Sequence, residues 1–529
     1  MKFLSAEKEF GNIEYKYSLI GKKDDNTRLE ELASQMKFRL YEGQGEALYY
    51  VGVSDDGNPK GIPSDDLDES MLTLKKIAVI ADSRITILRR VQGEEGEVAE
   101  IIIRQEKKPD ELPVDIRIAS IGNVDAGKST LIGVLFKGDL DNGRGSARSS
   151  VFRYLHELES GRTSSVGITV IGFDINENIV NHNKIHPPTD IELLEQSIKT
   201  ISFHDLAGHE KYLKTTIYGL TGLLPNYAML IVSANQGVLQ MTKEHLGLVV
   251  ALKIPFFVVL TKIDITPHER TIRTIQELKK LLKIPGVSKV PLMVKDKEDP
   301  IVAALNIEKS SIVPIFQVSA VNGDGMPNLI KFLNLIKAPQ NKSLQRESVF
   351  RAYIDDIFMV SGVGTVVACM IYSGSSSPND KLWLGPFDDG SFIEVRIKSI
   401  HYKRVNASIV VAGQNATFAI AKVKRDQVRK GMVLLGTQVE KSAAFEFEAE
   451  IYVLYHSTTI RIGYTPVIHC RSIRQSAKMI KINQEQLRTG DRANVRFKFM
   501  YKPEYIQIGQ RIVFREGRTK GIGIINNIF

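Results

Sequence analysis

The sequence predicts a mainly parallel α/β domain, preceded by a small α/β region and followed by two all-β barrels. Three observations carry that expectation. From about residue 114 to 339 strand patterns alternate with helix patterns, as a parallel sheet covered on both faces requires. Phe256-Phe257-Val258-Val259-Leu260 is a short continuous apolar run of the kind a buried parallel strand needs. After Ser343 the pattern changes to short β-rich runs parted by glycine turns, such as Gly364-Thr365-Val366-Val367-Ala368 and 492–500.

Taken in order, residues 1–112 read as the small N-terminal α/β domain. Residues 27–36 have helical spacing, 46–53 read as a strand, 70–80 as a second helix, and 84–88 and 98–104 as strands. Gln105-Glu106-Lys107-Lys108-Pro109-Asp110-Glu111 reads as a charged linker. The α/β domain is expected over 113–340, the first barrel over 345–440 and the second over 441–529. The length of 529 residues suits roughly three or four domains of about 100–200 residues each.

Composition narrows the function class. An apolar fraction of 43% with 25% charged residues is that of a globular protein, and no apolar run approaches the roughly 18 residues that span a bilayer. The N-terminal stretch lacks the apolar core of a signal peptide. Two cysteines, Cys369 and Cys470, cannot build a disulfide framework or a thiolate metal site. A cytoplasmic protein without a membrane partner is the expectation. The net charge of +9 is concentrated at one end: residues 441–529 hold 15 Lys/Arg against 7 Asp/Glu. A basic terminal barrel points to a polyanionic partner, with RNA foremost, or to a merely solvated basic surface.

Gly122-Asn123-Val124-Asp125-Ala126-Gly127-Lys128-Ser129-Thr130 is a complete G-x-x-x-x-G-K-[ST] phosphate loop between a strand-like run, 116–121, and a helix-like run, 131–135. Its glycines let successive N–H groups turn toward phosphate oxygens, and the helix N-terminus adds partial positive charge. Lys128 is expected to span the β- and γ-phosphates and Ser129 to ligate Mg²⁺. Asp205-Leu206-Ala207-Gly208-His209 follows a strand at 200–204. Asp205 is placed to reach Mg²⁺ through a water, and the Gly208 N–H to contact a γ-phosphate, a bond present only with the third phosphate. Thr261-Lys262-Ile263-Asp264 ends the strand 256–260. Asp264 can accept from N1–H and the N2 amine of guanine, a pattern adenine does not offer. Lys262 would lay its stem on the base. Ser319-Ala320 follows the strand 315–318, where the Ala320 N–H can address guanine O6. Four elements in this order, each at a strand's C-terminal end, identify a P-loop GTP-binding domain.

His209 follows the switch glycine, where an imidazole can orient the attacking water or stabilise charge on the γ-phosphate. The connection 136–172 should hold the first switch. Thr169, read as preceding a strand at 170–174, is the favoured third Mg²⁺ ligand, with Thr163 and Ser165 as alternatives. Arg144, Arg148, Arg153 and Arg162 either touch RNA or solvate the loop. Asp125 either holds a monovalent cation near the β/γ bridge or caps its own loop. Thr261 stands where the common form of the guanine motif has asparagine, which predicts a weaker tie to the phosphate loop.

The stretches 122–130 and 205–209 resemble the elongation factor Tu class of translational GTPases. The closer likeness is to its GTP-binding protein one and two branch, carried by Gly138-Asp139-Leu140-Asp141-Asn142-Gly143-Arg144-Gly145, by 159–167, 209–216 and 241–248, and by Leu487-Arg488-Thr489-Gly490-Asp491 and 514–523 in the last barrel. Gly11-Asn12-Ile13-Glu14-Tyr15-Lys16 also fits. Ile168-Thr169 departs, looking more like the elongation-factor switch. The resemblance implies a GTPase domain and two barrels behind a branch-specific N-terminal domain. It also implies tRNA-delivery-like or ribosome-rescue work, with GTP hydrolysis slow unless a partner stimulates it. The alternative is a GTP-switched adaptor that recruits RNA-decay proteins with little catalysis of its own.

Overall fold

In the computed structural model the described residues are 4, 6–21, 26–108, 111–152, 166–182, 186–309, 311–337, 348–517 and 519–529. Arg153, Arg162, Thr163 and Ser165 lie outside them.

The N-terminal region runs β1 (Ile13–Lys16), α1 (Asn26–Glu42), β2 (Glu46–Val51), α2 (Ser64–Ile80), β3 (Ser83–Gln92) and β4 (Glu97–Gln105), with sheet order β1-β2-β4-β3. The second helix starts six residues earlier than its periodicity predicts, because Asp65 and Asp66 in its first turn follow Pro63 and suit the helix dipole. Period-2 alternation in β2 and β4 sorts the sheet's faces. Ala47, Tyr49, Val51, Ile101 and Ile103 pack under the two helices. Leu48, Tyr50 and Val98 face away from them, where Leu305 of the following domain packs, and Ile102 joins that domain's core. Burial on both faces explains the continuous apolar run in β4.

The α/β domain follows as β5 (Val114–Gly122), α3 (Lys128–Lys137), β6 (Gly167–Phe173), α4 (Asp190–Gln196), β7 (Lys199–Asp205), α5 (Leu213–Thr221), β8 (Tyr227–Ser233), α6 (Gln240–Ala251), β9 (Phe256–Thr261), α7 (His268–Lys283), β10 (Val290–Met293), α8 (Asp299–Asn306), β11 (Ile312–Gln317) and α9 (Met326–Leu335). The seven strands lie in the order β10-β11-β9-β8-β5-β7-β6, parallel except for β6. Every residue of β7, β8 and β9 is buried. Phe257, Phe316 and Phe332 cluster beneath the sheet with ring centroids 4.9–6.1 Å apart. One expectation is corrected: β6 begins at Gly167, so Thr169 lies inside the strand, opposite Phe203, and does not precede it.

Both C-terminal segments are barrels. Arg351–Val360, Gly364–Ser373, Lys381–Gly385, Ile393–Tyr402, Asn415–Ile420 and Val433–Gly436 close a ring of six strands. The six strands from Glu446–Tyr455 to Thr519–Ile528 close a second. Arg429 joins the barrels, donating to Glu504 at 2.8 Å and to the Pro503 carbonyl at 2.7 Å. Both barrels touch the α/β domain. Lys403 of the first reaches Asp115 at 2.7 Å, and Val513 and Ile522 of the second join the apolar cluster around α5 and α6.

Candidate nucleotide-binding site

The parallel order places the ends of β5, β7, β9 and β11 along one edge, and the sequence motifs sit on those ends. At the end of β5, Gly122 (φ +150°) packs so closely on β8 that an added Cβ would lie 2.2 Å from the Ile231 carbonyl oxygen. Gly127 (φ +87°) turns the chain into α3. Asp125, exposed, also has φ +60°. Lys128 is 7% exposed and its ammonium donates to the Asn123 carbonyl at 2.9 Å and the Gly122 carbonyl at 3.3 Å. Burial lowers its pKa, while Asp205 and Asp125 act in the opposite sense.

Asp205, at the end of β7, is 1% exposed. One carboxylate oxygen accepts from Ser129 Oγ at 2.6 Å and the other from Ser120 Oγ at 2.8 Å. A hydroxyl beside a carboxylate is the hard-oxygen pair that Mg²⁺ takes when phosphates and waters supply the rest of its octahedron, so these residues fit that ion. Gly208 lies against the phosphate loop: an added Cβ would stand 2.5 Å from Lys128 Nζ and 2.6 Å from the Gly122 carbonyl oxygen. His209 is exposed, and its Nδ1 accepts the Lys211 N–H at 3.0 Å. A neutral ring so held carries its proton on Nε2. Thr169 is not brought to this group. Gly167 is the residue opposite Asp205, and Thr169 is two places further along β6, 8% exposed.

The guanine motif is tied in firmly, against expectation. Thr261 Oγ1 donates to the Ala126 carbonyl at 2.7 Å, joining the end of β9 to the phosphate loop. Lys262 has φ +60° and Asp264 is exposed at the rim. Ser319 is buried, and its Oγ accepts the N–H groups of Val321 and Asn322 at 3.1 and 3.2 Å, curling the turn that presents Ala320.

Two contacts escaped the sequence. The Gly122 N–H donates to Nδ1 of the fully buried His245 on α6 at 3.1 Å. The Asp141 N–H donates to the Ala320 carbonyl at 2.8 Å. Both residues belong to the branch-like stretches, but only the folded chain gives them partners. Around the site, α5 lies between the barrels: burial and the neighbouring Asp355 of the first raise the Tyr218 pKa, and α5 packs on the strand Val467–Cys470 of the second.

The elongation factor Tu GTP binding domain matches residues 115–338, its domain 2 matches 364–435 and its C-terminal domain 440–529. GTP-binding protein 1 of Xenopus laevis is 46% identical over 94% of this chain and 76% of its own length. The chain belongs to the GTP-binding protein 1 and 2 branch of the elongation factor Tu-like GTPases. GTP-binding protein 2 of Homo sapiens is 42% identical over 99% of this chain and 88% of its own. Two solved structures share the fold. The Saccharomyces cerevisiae Ski7 GTPase-like domain has a TM-score of 0.59 at 14% identity, covering 78% of this chain and 97% of that one. A bacterial selenocysteine-specific elongation factor has a TM-score of 0.56 at 19% identity, covering 77% of this chain and 58% of that one. The elongation factor Tu-like branch thus accounts for the GTPase domain and both barrels, and no helix among the described residues is long and apolar enough to cross a membrane.

Proposed function

We propose that this chain is a GTP-hydrolysing switch of the translational type, slow alone and stimulated by a ribosome-bound RNA complex. The observation that carries the reading is the joining of three motifs by side-chain bonds, Ser129 to Asp205 at 2.6 Å and Thr261 to Ala126 at 2.7 Å. Separate strands thereby become one guanine-nucleotide cradle.

The loop N–H groups and Lys128 bind the phosphates, and Asp264 and Ala320 read the guanine edge. Ser129 and Asp205 would hold Mg²⁺, which neutralises charge on the β- and γ-phosphates when bound. Gly208 must lack a side chain to lie this close to the loop, which suits a backbone sensor of the third phosphate. His209 is exposed directly after Gly208 with Nδ1 held by the Lys211 N–H, which leaves Nε2 to orient the attacking water. Movement of Gly208 is passed to α5, which touches both barrels.

The partner reading rests on the second barrel. Lys478 stands directly opposite Lys498, and Lys481 opposite Arg496, on adjacent strands. Glu446 bridges Arg496 at 2.9 Å and Lys498 at 3.1 Å, so one carboxylate is set against four cations, and the surplus positive charge favours a polyanion, which supports RNA.

The test is GTP turnover with and without ribosomes, on the parent and on His209→Ala. Ribosomes should raise parent turnover at least about tenfold, and the variant should lose about 10²-fold with GTP affinity within about threefold. Binding with no stimulated turnover would shift the reading to an adaptor that uses GTP as a ligand and recruits RNA-decay proteins.

A further inference from the structure

The loop after α3 is built more rigidly than its exposure demands. Asp141 is 6% exposed, and its carboxylate accepts the N–H groups of Gly143 at 2.9 Å, Gly145 at 3.0 Å and Ala147 at 2.9 Å. The Ser146 hydroxyl adds a fourth bond at 3.3 Å. Ala147 is then buried in the core, close enough to α3 that a Cβ added to Gly133 would stand 2.2 Å from its carbonyl oxygen. The Asp141 N–H closes the arrangement on the Ala320 carbonyl. A carboxylate with this many donors fixes the loop in one shape.

Leu140, the residue before this anchor, is nevertheless 47% exposed. Its two methyl carbons lie over Gly323, each 3.6 Å from where a Cβ would stand on that residue. Gly323 belongs to the turn that presents Ala320. A pinned loop thus holds an aliphatic side chain in the open beside the guanine-reading turn. A purine has polar edges and apolar faces: Asp264 and Ala320 address an edge, and a face gains from losing water to a branched alkyl group.

We propose that Leu140 is the apolar wall of the nucleotide's base pocket, positioned by Asp141 through Ala320. This rests on the guanine-nucleotide reading above. The contact is made to the base, so it serves GDP and GTP alike and sets residence time without sensing the third phosphate.

Dissociation of tritiated GDP and of a non-hydrolysable GTP analogue, chased with unlabelled nucleotide, tests the proposal on the full chain. Leu140→Ala should speed both dissociations about tenfold, a change of ~1.4 kcal/mol. Leu140→Met should restore residence to within about twofold, and Ile191→Ala, an equally exposed aliphatic on α4, should leave it unchanged. The melting temperature of nucleotide-free Leu140→Ala should match the parent's. Unchanged dissociation would overturn the proposal, and so would a fall in nucleotide-free melting temperature without faster release, which would assign Leu140 to the loop's own packing. Acceleration of only one nucleotide would also overturn it. Failure of the parent itself to bind GDP would instead remove the guanine-nucleotide reading.

Discussion

Thr261 does with a hydroxyl what the usual asparagine at its position does with an amide. Its Oγ1 is 2.7 Å from the Ala126 carbonyl and 3.4 Å from that of Val232, so its single proton serves the phosphate loop. Both Thr261 and Ala126 are buried, so no water would replace a lost bond. Thr261→Val keeps the shape and strands the carbonyl, a penalty of about 1–3 kcal/mol. Calorimetry should record nucleotide affinity weakened about tenfold. Asp264→Asn tests the other end of the motif. An amide placed against N1–H and the N2 amine replaces one attraction by a donor–donor clash, so XTP should compete where ATP does not, with GTP weakened about 10²-fold. The motifs holding these residues were legible because each is a short run whose chemistry is local. His245 was not: its bond to Gly122 joins residues 123 apart, and nothing in the spacing of α6 distinguishes that histidine from any other buried one.

Among the elements, the hairpin at the base of the first barrel shows strain placed at a contact. Tyr402 pairs with Val405, and the two residues between them, Lys403 (φ +46°) and Arg404 (φ +67°), both adopt the left-handed region that glycine and asparagine favour. The turn puts Lys403 Nζ on Asp115 at 2.7 Å, with Thr200 Oγ1 at 3.0 Å and Ser202 Oγ at 3.1 Å. Asp115 lies near the start of β5, which leads to the phosphate loop, and Thr200 and Ser202 lie on β7, which leads to Asp205. One cation therefore clamps the roots of both functional strands. Burial alone would raise the Asp115 pKa, but Lys403, with Arg117 and the Ser202 hydroxyl, outweighs it and the carboxyl stays below its ordinary range. Lys403→Met removes the cation in contact with that carboxylate, leaving it the Thr200 and Ser202 hydroxyls and the charge of Arg117, and should lower stability by about 3 kcal/mol in urea unfolding. The double change Lys403→Met with Asp115→Asn should recover most of the loss. An additive double variant would sink the clamp. No sequence pattern announced it, since Lys403-Arg404 lacks the Asn-Gly signature of this turn and its partner is 288 residues away.

At the scale of the whole molecule, the sequence made the layers visible and left their docking hidden. Strand–helix alternation and glycine-parted β-runs are periodic, so the sheet and barrels could be read. Contacts between units have no period. Arg104, 2% exposed, donates to Glu46 at 3.0 Å, Glu177 at 2.8 Å and Asn334, while Lys199 shares Glu46 and is pushed down to about 8 by burial. In the sequence these are ordinary charges. The same concealment covers two histidines at the junctions with the barrels. His204 on β7 lies beside Arg117, Asp115 and Lys403, and His469 lies in the strand facing α5, near Lys214, Arg474 and Arg515. Burial first, and then the surrounding cations, hold each pKa down at about 3. An unfolded histidine titrates near 6.5, so between about pH 6.5 and 3 the unfolded chain binds more protons than the folded one. Stability must then fall as pH drops through that window and be fully present above it. Buried carboxyls act in the opposite sense, since burial pushes Glu7 up to about 7 and raises Asp355, Glu308 and Glu504, so the histidine contribution is read by comparing the parent with a variant that lacks both rings. His204→Gln combined with His469→Gln should therefore gain melting temperature relative to the parent as pH falls from 7 to 5.5. A difference between variant and parent that stays the same from pH 7 to 5.5 would mean that these junctions open before the chain unfolds, leaving both rings in water at the transition.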